Sequence, residues 1–394
     1  MKITKITPML LNRYLFVEVE TDAGIKGLGE SGTWGFLEAS FSAVDQLAQQ
    51  IMGKDPLQIS FLWNYMYRCN HFRGAAIMGA LSAIDIALWD IAGKHYGQPI
   101  YMLLGGKCRD KARLYYHVFG DTTEKLVQGI KNAKANGFTA VGHLTPFLDT
   151  FDRSKGAPFQ TYVGRMEEAI DRVKQYREAV GDSVDLCIEI HRQLSIQDAI
   201  VLARGIEKYH PFFYEDPVRP DNFDDMVEVH KKIHIPIATG ERYTSPQEFA
   251  MLLRKGAVQY VRPDVCMCGG ITGAYKIAAA AEAFGVGVVP HNPLSPVSTQ
   301  ACAQLAAAIP NLALLEYPMR HKDDISLSKK FDTKENIYED ILTPIARARP
   351  DGHLDFNTTP GLGIELLPDA KEKAPYWVRP RHTLISYDGS VYDQ

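Results

Sequence analysis

Hydrophobic residues follow two different periods along this chain. Near the start they alternate with polar residues, which predicts the strands Lys2–Leu11, Tyr14–Thr21 and Ile25–Glu30. Residues Ala75–Lys94 instead carry isoleucine and leucine at three- and four-residue steps, which predicts a helix with a buried face. We therefore interpret residues 1–111 as the N-terminal part of an α+β domain.

Between residues 112 and 318 the pattern changes to a repeat of a short apolar strand followed by a helix. Strands that alternate with helices indicate parallel βαβ units. About eight such units in about 210 residues fit a closed (β/α) barrel better than an open sheet. The predicted strands are Ala140–Leu144, Val184–Ile190, Phe212–Glu215, Ile235–Thr239, Val258–Val261, Val286–Pro290 and Leu312–Leu315.

The last region, residues 319–394, is polar and rich in proline and glycine until a strand-like end at Pro375–Tyr387. We interpret it as a covering segment that returns to the first region. Pro146–Tyr162 is a long insertion after the second barrel strand. Long loops in compact domains are usually lids or binding loops.

Composition narrows the class of protein. Of 394 residues, 46% are hydrophobic and 23% are charged, which is typical of a folded globular chain. The net charge of −4 gives no overall basic bias toward nucleic acid or anionic membrane. No unbroken apolar run approaches the ~20 residues of a membrane helix. Six scattered cysteines and the lack of a signal-peptide pattern favour a cytoplasmic protein with reduced thiols.

Three glutamates end three successive predicted strands. Glu189, Glu215 and Glu241 lie 26 residues apart, which is one βα unit each time. In a barrel this spacing places them side by side at the C-terminal mouth, where barrel enzymes keep their active sites. Converging carboxylates require a cation, and hard oxygen ligands favour Mg²⁺. The sequence therefore predicts a magnesium site.

The next strand ends carry Asp264, His291 and Glu316. An aspartate beside a histidine on the neighbouring strand can orient the imidazole and make it a better base. His191 follows Glu189 by two residues, and strand alternation predicts that it faces the mouth as well. A metal with two histidines suits removal of the proton α to a carboxylate, followed by loss of a β-hydroxyl.

These residues lie in a sequence that resembles the mandelate racemase branch of the enolase superfamily. The resemblance implies a modified (β/α)7β TIM barrel with an α+β capping domain built from both chain ends. It also implies Mg²⁺ bound by the three glutamates, the dyad of His291 and Asp264, and a Glu316 that supports the enolate oxygen. The motifs that carry it are Gly27-Leu28-Gly29-Glu30, Ala83-Ile84-Asp85-Ile86-Ala87-Leu88-Trp89-Asp90, Leu103-Leu104-Gly105-Gly106, Tyr214-Glu215-Asp216-Pro217, Thr239-Gly240-Glu241, Arg262-Pro263-Asp264, Gly269-Gly270-Ile271-Thr272 and His291-Asn292-Pro293.

Within that branch the sequence is similar to galactonate and mannonate dehydratases. Glu189-Ile190-His191 resembles their Asp-x-His, whose histidine protonates the leaving hydroxyl, although here the first ligand is one methylene longer. The second barrel strand, Val141–Leu144, lacks the Lys-x-Lys of racemases and carries His143, whose role stays open. The resemblance implies a Mg²⁺-dependent hydro-lyase that converts an aldonate (galactonate, mannonate or gluconate) to its 2-keto-3-deoxy acid. An epimerase on the same scaffold, or a non-catalytic relative, is the alternative.

Two further residues lie in loops that the family places over the mouth. Arg73 could hold a substrate carboxylate through two hydrogen bonds, and Trp34 lies in the other loop. The expected partners are a small-molecule sugar acid and further copies of the chain in a homo-oligomer, with no nucleic acid or membrane.

Overall fold

The computed structural model describes residues 1–69, 71–148, 158–318, 338–378 and 383–392. Most of the predicted insertion at 146–162, and all of the polar stretch 319–336, lie outside the described residues.

The first region forms an antiparallel sheet packed on helices. Its strands occur in the order β1, β2, β3, and its core holds the apolar faces of the helices against β2. Strand β2 has the predicted bounds, and the long helix extends two residues beyond its prediction. The elements are β1 (Ile3–Leu11), β2 (Tyr14–Thr21), β3 (Lys26–Ser31), α1 (Leu37–Ile51), α2 (Ile59–Arg68), α3 (Ala75–Tyr96) and α4 (Ile100–Leu103).

Helix α3 is the centre of this region. It is the one described helix long and apolar enough to cross a membrane, but 78% of its apolar window is buried inside the protein, as in a core helix. Strand β3 lies directly on it. A Cβ on Gly27 would lie 2.0 Å from the carbonyl oxygen of Ala87, and one on Gly29 would lie 1.9 Å from that of Ala83. The Gly-x-Gly-Glu motif is therefore a packing requirement that leaves Glu30 at the end of the strand.

Eight parallel strands form the barrel. Neighbouring strands pair in chain order from β4 to β10, and β11 pairs with β4. A parallel bridge between Val288 and Leu312 joins β10 to the segment before β11 and closes the ring. The strands are β4 (Lys111–His117), β5 (Ala140–Leu144), β6 (Asp185–Glu189), β7 (Phe213–Glu215), β8 (Ile237–Thr239), β9 (Tyr260–Val261), β10 (Gly287–Val288) and β11 (Leu315–Tyr317). In the described part of the chain seven α-helices lie between these eight strands, and the predicted (β/α)7β barrel is confirmed.

Most barrel helices begin where a polar side chain caps them. The side chains of Thr122, Thr161, Ser195, Asn222, Ser245 and Ser295 each accept a backbone N–H of the first turn, which satisfies one of its free donors. Helix α10 begins instead at Gly269 and Gly270, both with positive φ. The helices are α5 (Thr123–Ala135), α6 (Tyr162–Val180), α7 (Ile196–Ile206), α8 (Phe223–His230), α9 (Pro246–Lys255), α10 (Gly270–Ala283) and α11 (Pro296–Ala308).

The C-terminal region returns to the first domain, as predicted for a cap built from both chain ends. The N–H of Asn12 donates to the carbonyl of Ala374 at 2.9 Å, and the N–H of Trp377 donates to the carbonyl of Asn12 at 3.0 Å. The hydroxyls of Tyr14 and Tyr338 lie 2.7 Å apart. The elements are α12 (Tyr338–Ile341), β12 (Leu342–Thr343), β13 (His353–Asp355), β14 (Glu365–Leu366), α13 (Ala370–Lys373), β15 (Leu384–Ile385) and β16 (Val391–Tyr392).

The predicted strand at Pro375–Tyr387 is mostly wrong. In its described part only Leu384–Ile385 is a strand, paired with Val391–Tyr392 across a turn at Asp388-Gly389. Trp377 contacts Asn12 through one backbone and one side-chain hydrogen bond. The described residues 375–378 form no strand.

Candidate active site

The three glutamates converge at the C-terminal ends of neighbouring strands. Glu189 and Glu215 are paired in register as the last residues of β6 and β7. Glu241 follows β8 after Gly240, whose φ of +143° permits the turn. One ligand atom from each of the three carboxylates lies within 4.8 Å of the others, and Glu189 and Glu215 are buried.

Two buried arginines partly neutralise this mouth. Arg262 is ion-paired with Glu215 through Nε, and its Nη2 lies 2.5 Å from an oxygen of Glu316. Arg192 pairs with Asp216 and lies 2.7 Å from Oε1 of Glu241. In the described part of the chain, six carboxylates lie at the mouth, and these two guanidinium groups are the arginine charges paired with them. The six are Glu189, Glu215, Asp216, Glu241, Asp264 and Glu316.

Burial and neighbouring negative charge raise the pKa of two of the three glutamates, whereas for Glu241 burial is outweighed by Arg192 and His291, which lower its pKa. Burial, then the charge of Glu241, raises the pKa of Glu189. Burial also raises the pKa of Glu215 well above its ordinary value, although Arg262 opposes this. A divalent cation would relieve both effects, and three carboxylate oxygens are the donors that Mg²⁺ prefers. The residues present therefore fit the predicted metal.

Asp264 and His291 form a pair beside these carboxylates. A parallel bridge joins the two residues, and Nδ1 of His291 lies 2.9 Å from Oδ2 of Asp264. The N–H of Cys266 holds the other carboxylate oxygen of Asp264 at 2.8 Å. Nε2 of His291 then points to Oε2 of Glu241, 3.3 Å away. Burial lowers the pKa of His291, but Glu241, the bond to Asp264 and Glu316 outweigh it and raise the pKa to about 9.

His191 lies beside Glu189, but strand alternation is not the reason. Strand β6 ends at Glu189, and His191 has a φ of +54°, in the left-handed region that a non-glycine residue rarely adopts. Its N–H donates to Oε1 of Glu189 at 3.2 Å, and its Nε2 lies 4.0 Å from the same oxygen. The turn that follows the strand therefore places the ring at the mouth.

Glu316 lies at the centre of a buried network. His117 Nε2 lies 2.5 Å from one of its oxygens, and the N–H of Asn292 donates to the other at 2.9 Å. Burial raises its pKa, but Arg262 and then His117 lower it well below the ordinary value. Glu316 is therefore an ionised acceptor whose two oxygens hold neighbouring side chains in place.

Arg73 and Trp34 lie at the periphery. The Arg73 guanidinium stacks 4.3 Å from the ring centroid of Tyr67 and is exposed. Trp34 is 48% exposed in the loop between β3 and α1. That loop contacts the barrel, because the N–H of Gly32 donates to the carbonyl of Cys266 at 2.9 Å. Among the described residues, no hydrogen bond or ion pair joins Arg73 to the three glutamates.

Several buried residues of the site carried no predicted role. They are His117, Arg192, Asp216, Arg262 and Asn292. Four of the five directly follow, or lie within two residues of, a predicted site residue at a strand end. A charged residue that is buried needs a partner of opposite charge. A charged residue next to a predicted ligand at a strand end is visible in the sequence, so this signal was available.

Fold and site together define a barrel protein with a candidate metal site and a histidine–aspartate pair. The family model for the mandelate racemase / muconate lactonizing enzyme N-terminal domain matches residues 3–105, and the enolase C-terminal domain-like model matches residues 124–370. The chain belongs to this family, as its sequence predicted.

Curated relatives span almost the whole chain. A D-galactonate dehydratase of Xanthomonas oryzae is 36% identical over 99% of both chains, and one of Pectobacterium atrosepticum is 34% identical over 96% of this chain and 97% of that protein. The solved structure of an Agrobacterium radiobacter enolase, described as a candidate galactarate dehydratase and bound to sodium and L-malate, is 29% identical over 100% of both chains with a TM-score of 0.89. The chain is an enzyme of the dehydratase class, which confirms the prediction at that level.

Proposed function

We propose that this protein dehydrates an aldonate, such as galactonate, mannonate or gluconate, to the 2-keto-3-deoxy acid with Mg²⁺ bound by Glu189, Glu215 and Glu241. The observation that carries the proposal is the pair of His291 and Asp264, aimed at the three carboxylates. When bound, the cation would supply positive charge against the substrate carboxylate and the enediolate that develops from it.

His291 is the proposed base. In its neutral form His291 donates Nδ1–H to Asp264, so the lone pair lies on Nε2, the nitrogen that faces the mouth. Nε2 removes the proton α to the substrate carboxylate, and Asp264 stabilises the imidazolium that results.

His191 is the proposed acid. Its ring stands beside Glu189, where it can give a proton to the β-hydroxyl as the C–O bond breaks. His191 thus releases the β-hydroxyl as water, while the α-proton stays on His291. The enol that remains takes up a proton at the β-carbon and gives up its O–H proton to become the keto acid. Arg73 and Trp34 are the proposed contacts to the substrate from the capping domain, and Glu316 supports the enolate oxygen through the network that it organises.

The test is a screen of aldonic and aldaric acids with and without Mg²⁺. We expect a 2-keto acid from at least one aldonate, detected as its semicarbazone, and no product after exhaustive chelation. In D₂O the α-position of recovered substrate should exchange. Exchange with an inverted α-carbon and no keto acid would favour the epimerase, and metal binding with neither reaction would favour a non-catalytic relative.

The remaining proposals concern the cellular location and the oligomeric state of the enzyme. A sugar acid is a small polar substrate, and all six cysteines are free, which fits the proposed cytoplasmic location. The proposed homo-oligomer is open to measurement by light scattering of the purified chain.

A further inference from the structure

A second group of side chains that could hold a metal ion overlaps the acidic one. His143, Glu189 and His191 each offer one ligand atom, and these atoms all lie within 4.8 Å of one another. Two of the three are imidazole nitrogens, unlike the all-oxygen set at the neighbouring position. Donors of this mixture favour borderline transition metals such as Zn²⁺ over Mg²⁺.

The backbone turns both histidines toward the same point. His143 on β5 and His191 after β6 have φ values of +58° and +54°, and such conformations in non-glycine residues cluster at functional sites. Their ring centroids lie 5.0 Å apart with planes inclined at 68°. Two imidazoles on one tetrahedral ion, with Zn–N bonds of ~2.0–2.1 Å, would have centroids about 5 Å apart.

His143 also has ligand capacity to spare. Its ring stacks on that of His117 and is tilted against that of Phe119, with centroids 5.2 Å apart in each case. Within the described residues it makes no hydrogen bond. His117, by contrast, is committed to Glu316. The ring contacts therefore hold His143 in position while its nitrogens stay available.

We propose that His143, Glu189 and His191 form a second cation site, which takes Zn²⁺ or a similar borderline transition metal and inhibits the enzyme. Inhibition follows because the ion would occupy the imidazole of His191, the proposed acid, and one oxygen of Glu189. This consequence rests on the proposed function, whereas the binding of the ion does not.

Binding is tested with Co²⁺, a spectroscopic substitute for Zn²⁺. The protein is freed of metal by chelation, saturated with Mg²⁺, and titrated with Co²⁺ while visible absorption is followed. We expect the intense visible bands of four-coordinate Co²⁺ in the wild type, and their loss in His143→Gln. X-ray absorption of the Zn²⁺-loaded wild type should show two imidazole ligands, a readout that does not depend on a variant folding.

The control is His234→Gln, because that side chain is 91% exposed and precedes β8 at the other end of the barrel. It should keep the Co²⁺ bands and the Zn²⁺ affinity of the wild type. His143→Gln should weaken Zn²⁺ binding at least ~10-fold, since even outer partners of a ligand change metal affinity by ~10–100-fold.

Identical Co²⁺ spectra and Zn²⁺ affinities in His143→Gln and wild type would overturn the proposal. Zn²⁺ with only oxygen neighbours in the absorption spectrum would do the same, since the ion would then lie among the acidic ligands. If no aldonate is dehydrated but the Co²⁺ bands depend on His143, the proposed function fails and the site stands.

Discussion

Two sets of buried carboxylates in this protein differ in the groups that donate hydrogen bonds or positive charge to them. At the interface between the domains, Glu30 accepts the hydroxyl of Ser295 at 2.6 Å and the N–H of Ser298 at 3.0 Å. Asp85 accepts the N–H and the hydroxyl of Thr272 at 2.9 and 2.6 Å. Both carboxylates thus reach the first turns of barrel helices, where free N–H donors are concentrated.

At the barrel mouth the carboxylates meet one another instead. Glu189, Glu215 and Glu241 share two arginines with three further acids, so acceptors outnumber the cations supplied by the protein. Burial of a carboxylate does not by itself mark a functional site. An interface carboxylate has its donors inside the protein, whereas a carboxylate at the mouth has capacity left for a ligand.

The largest expected effect is a loss of activity when a residue at the barrel mouth, rather than at the interface, is changed. His291→Asn should lower turnover by ~10²–10⁴-fold or more and abolish α-proton exchange, because the base is gone. Steady-state assays and exchange in D₂O measure the two effects. His191→Asn is the matched variant, since it should block dehydration while exchange through His291 continues. Retained exchange in His291→Asn would assign the base elsewhere.

Metal binding offers the next test. Glu189→Gln should lose the rise in melting temperature that saturating Mg²⁺ gives the wild type, a stabilisation of ~2.7 kcal/mol at one hundred times Kd. Without metal the variant should be no less stable than the wild type, because a crowded charge has been removed. Asp85→Asn is the counterpart at the interface, and it should keep the Mg²⁺ response but lose stability. If Glu189→Gln is still stabilised by Mg²⁺ as the wild type is, Glu189 is not a ligand of the cation.

A stability measurement at pH 6 tests how much the hydrogen bonds of Glu30 at the domain interface contribute. Glu30→Ala leaves the donors of Ser295 and Ser298 buried without an acceptor, which should cost on the order of 3 kcal/mol in urea unfolding. Glu30→Gln keeps one acceptor oxygen and should lose much less. Equal stabilities for the two variants would mean that these hydrogen bonds contribute little.

The last expected effect is a dependence of stability on pH. Burial raises the pKa of Glu30 from 4.5 to about 8, against the opposing bonds from Ser295 and Ser298. Between these values the folded protein holds a proton that the unfolded chain has released. The stabilisation that this proton gives the folded state is therefore complete below pH 4.5 and is lost as pH rises through 8. The wild type should lose stability relative to Glu30→Gln from pH 5.5 to 8.5 in thermal melts, and parallel curves would refute this.

The order of elements and the positions of the acids could be predicted from the sequence alone. Alternating strands and helices with glutamates 26 residues apart place Glu189, Glu215 and Glu241 on one edge of a barrel, whatever the details of packing. The same holds for Asp264 and His291 on adjacent strands. These inferences succeed because the period of a βα repeat is a local property, and because strand ends in a closed barrel share one face.

Tertiary structure alone decided what each side chain contacts. The pairing of Arg262 with Glu215 and Glu316, and of Glu30 with Ser295, joins residues far apart in the chain, and no local pattern encodes such distances. His191 reaches the mouth through a left-handed turn that strand alternation does not predict. The chemistry of the candidate site thus follows from residue types at strand ends, but its charge balance exists only once the barrel closes and excludes water.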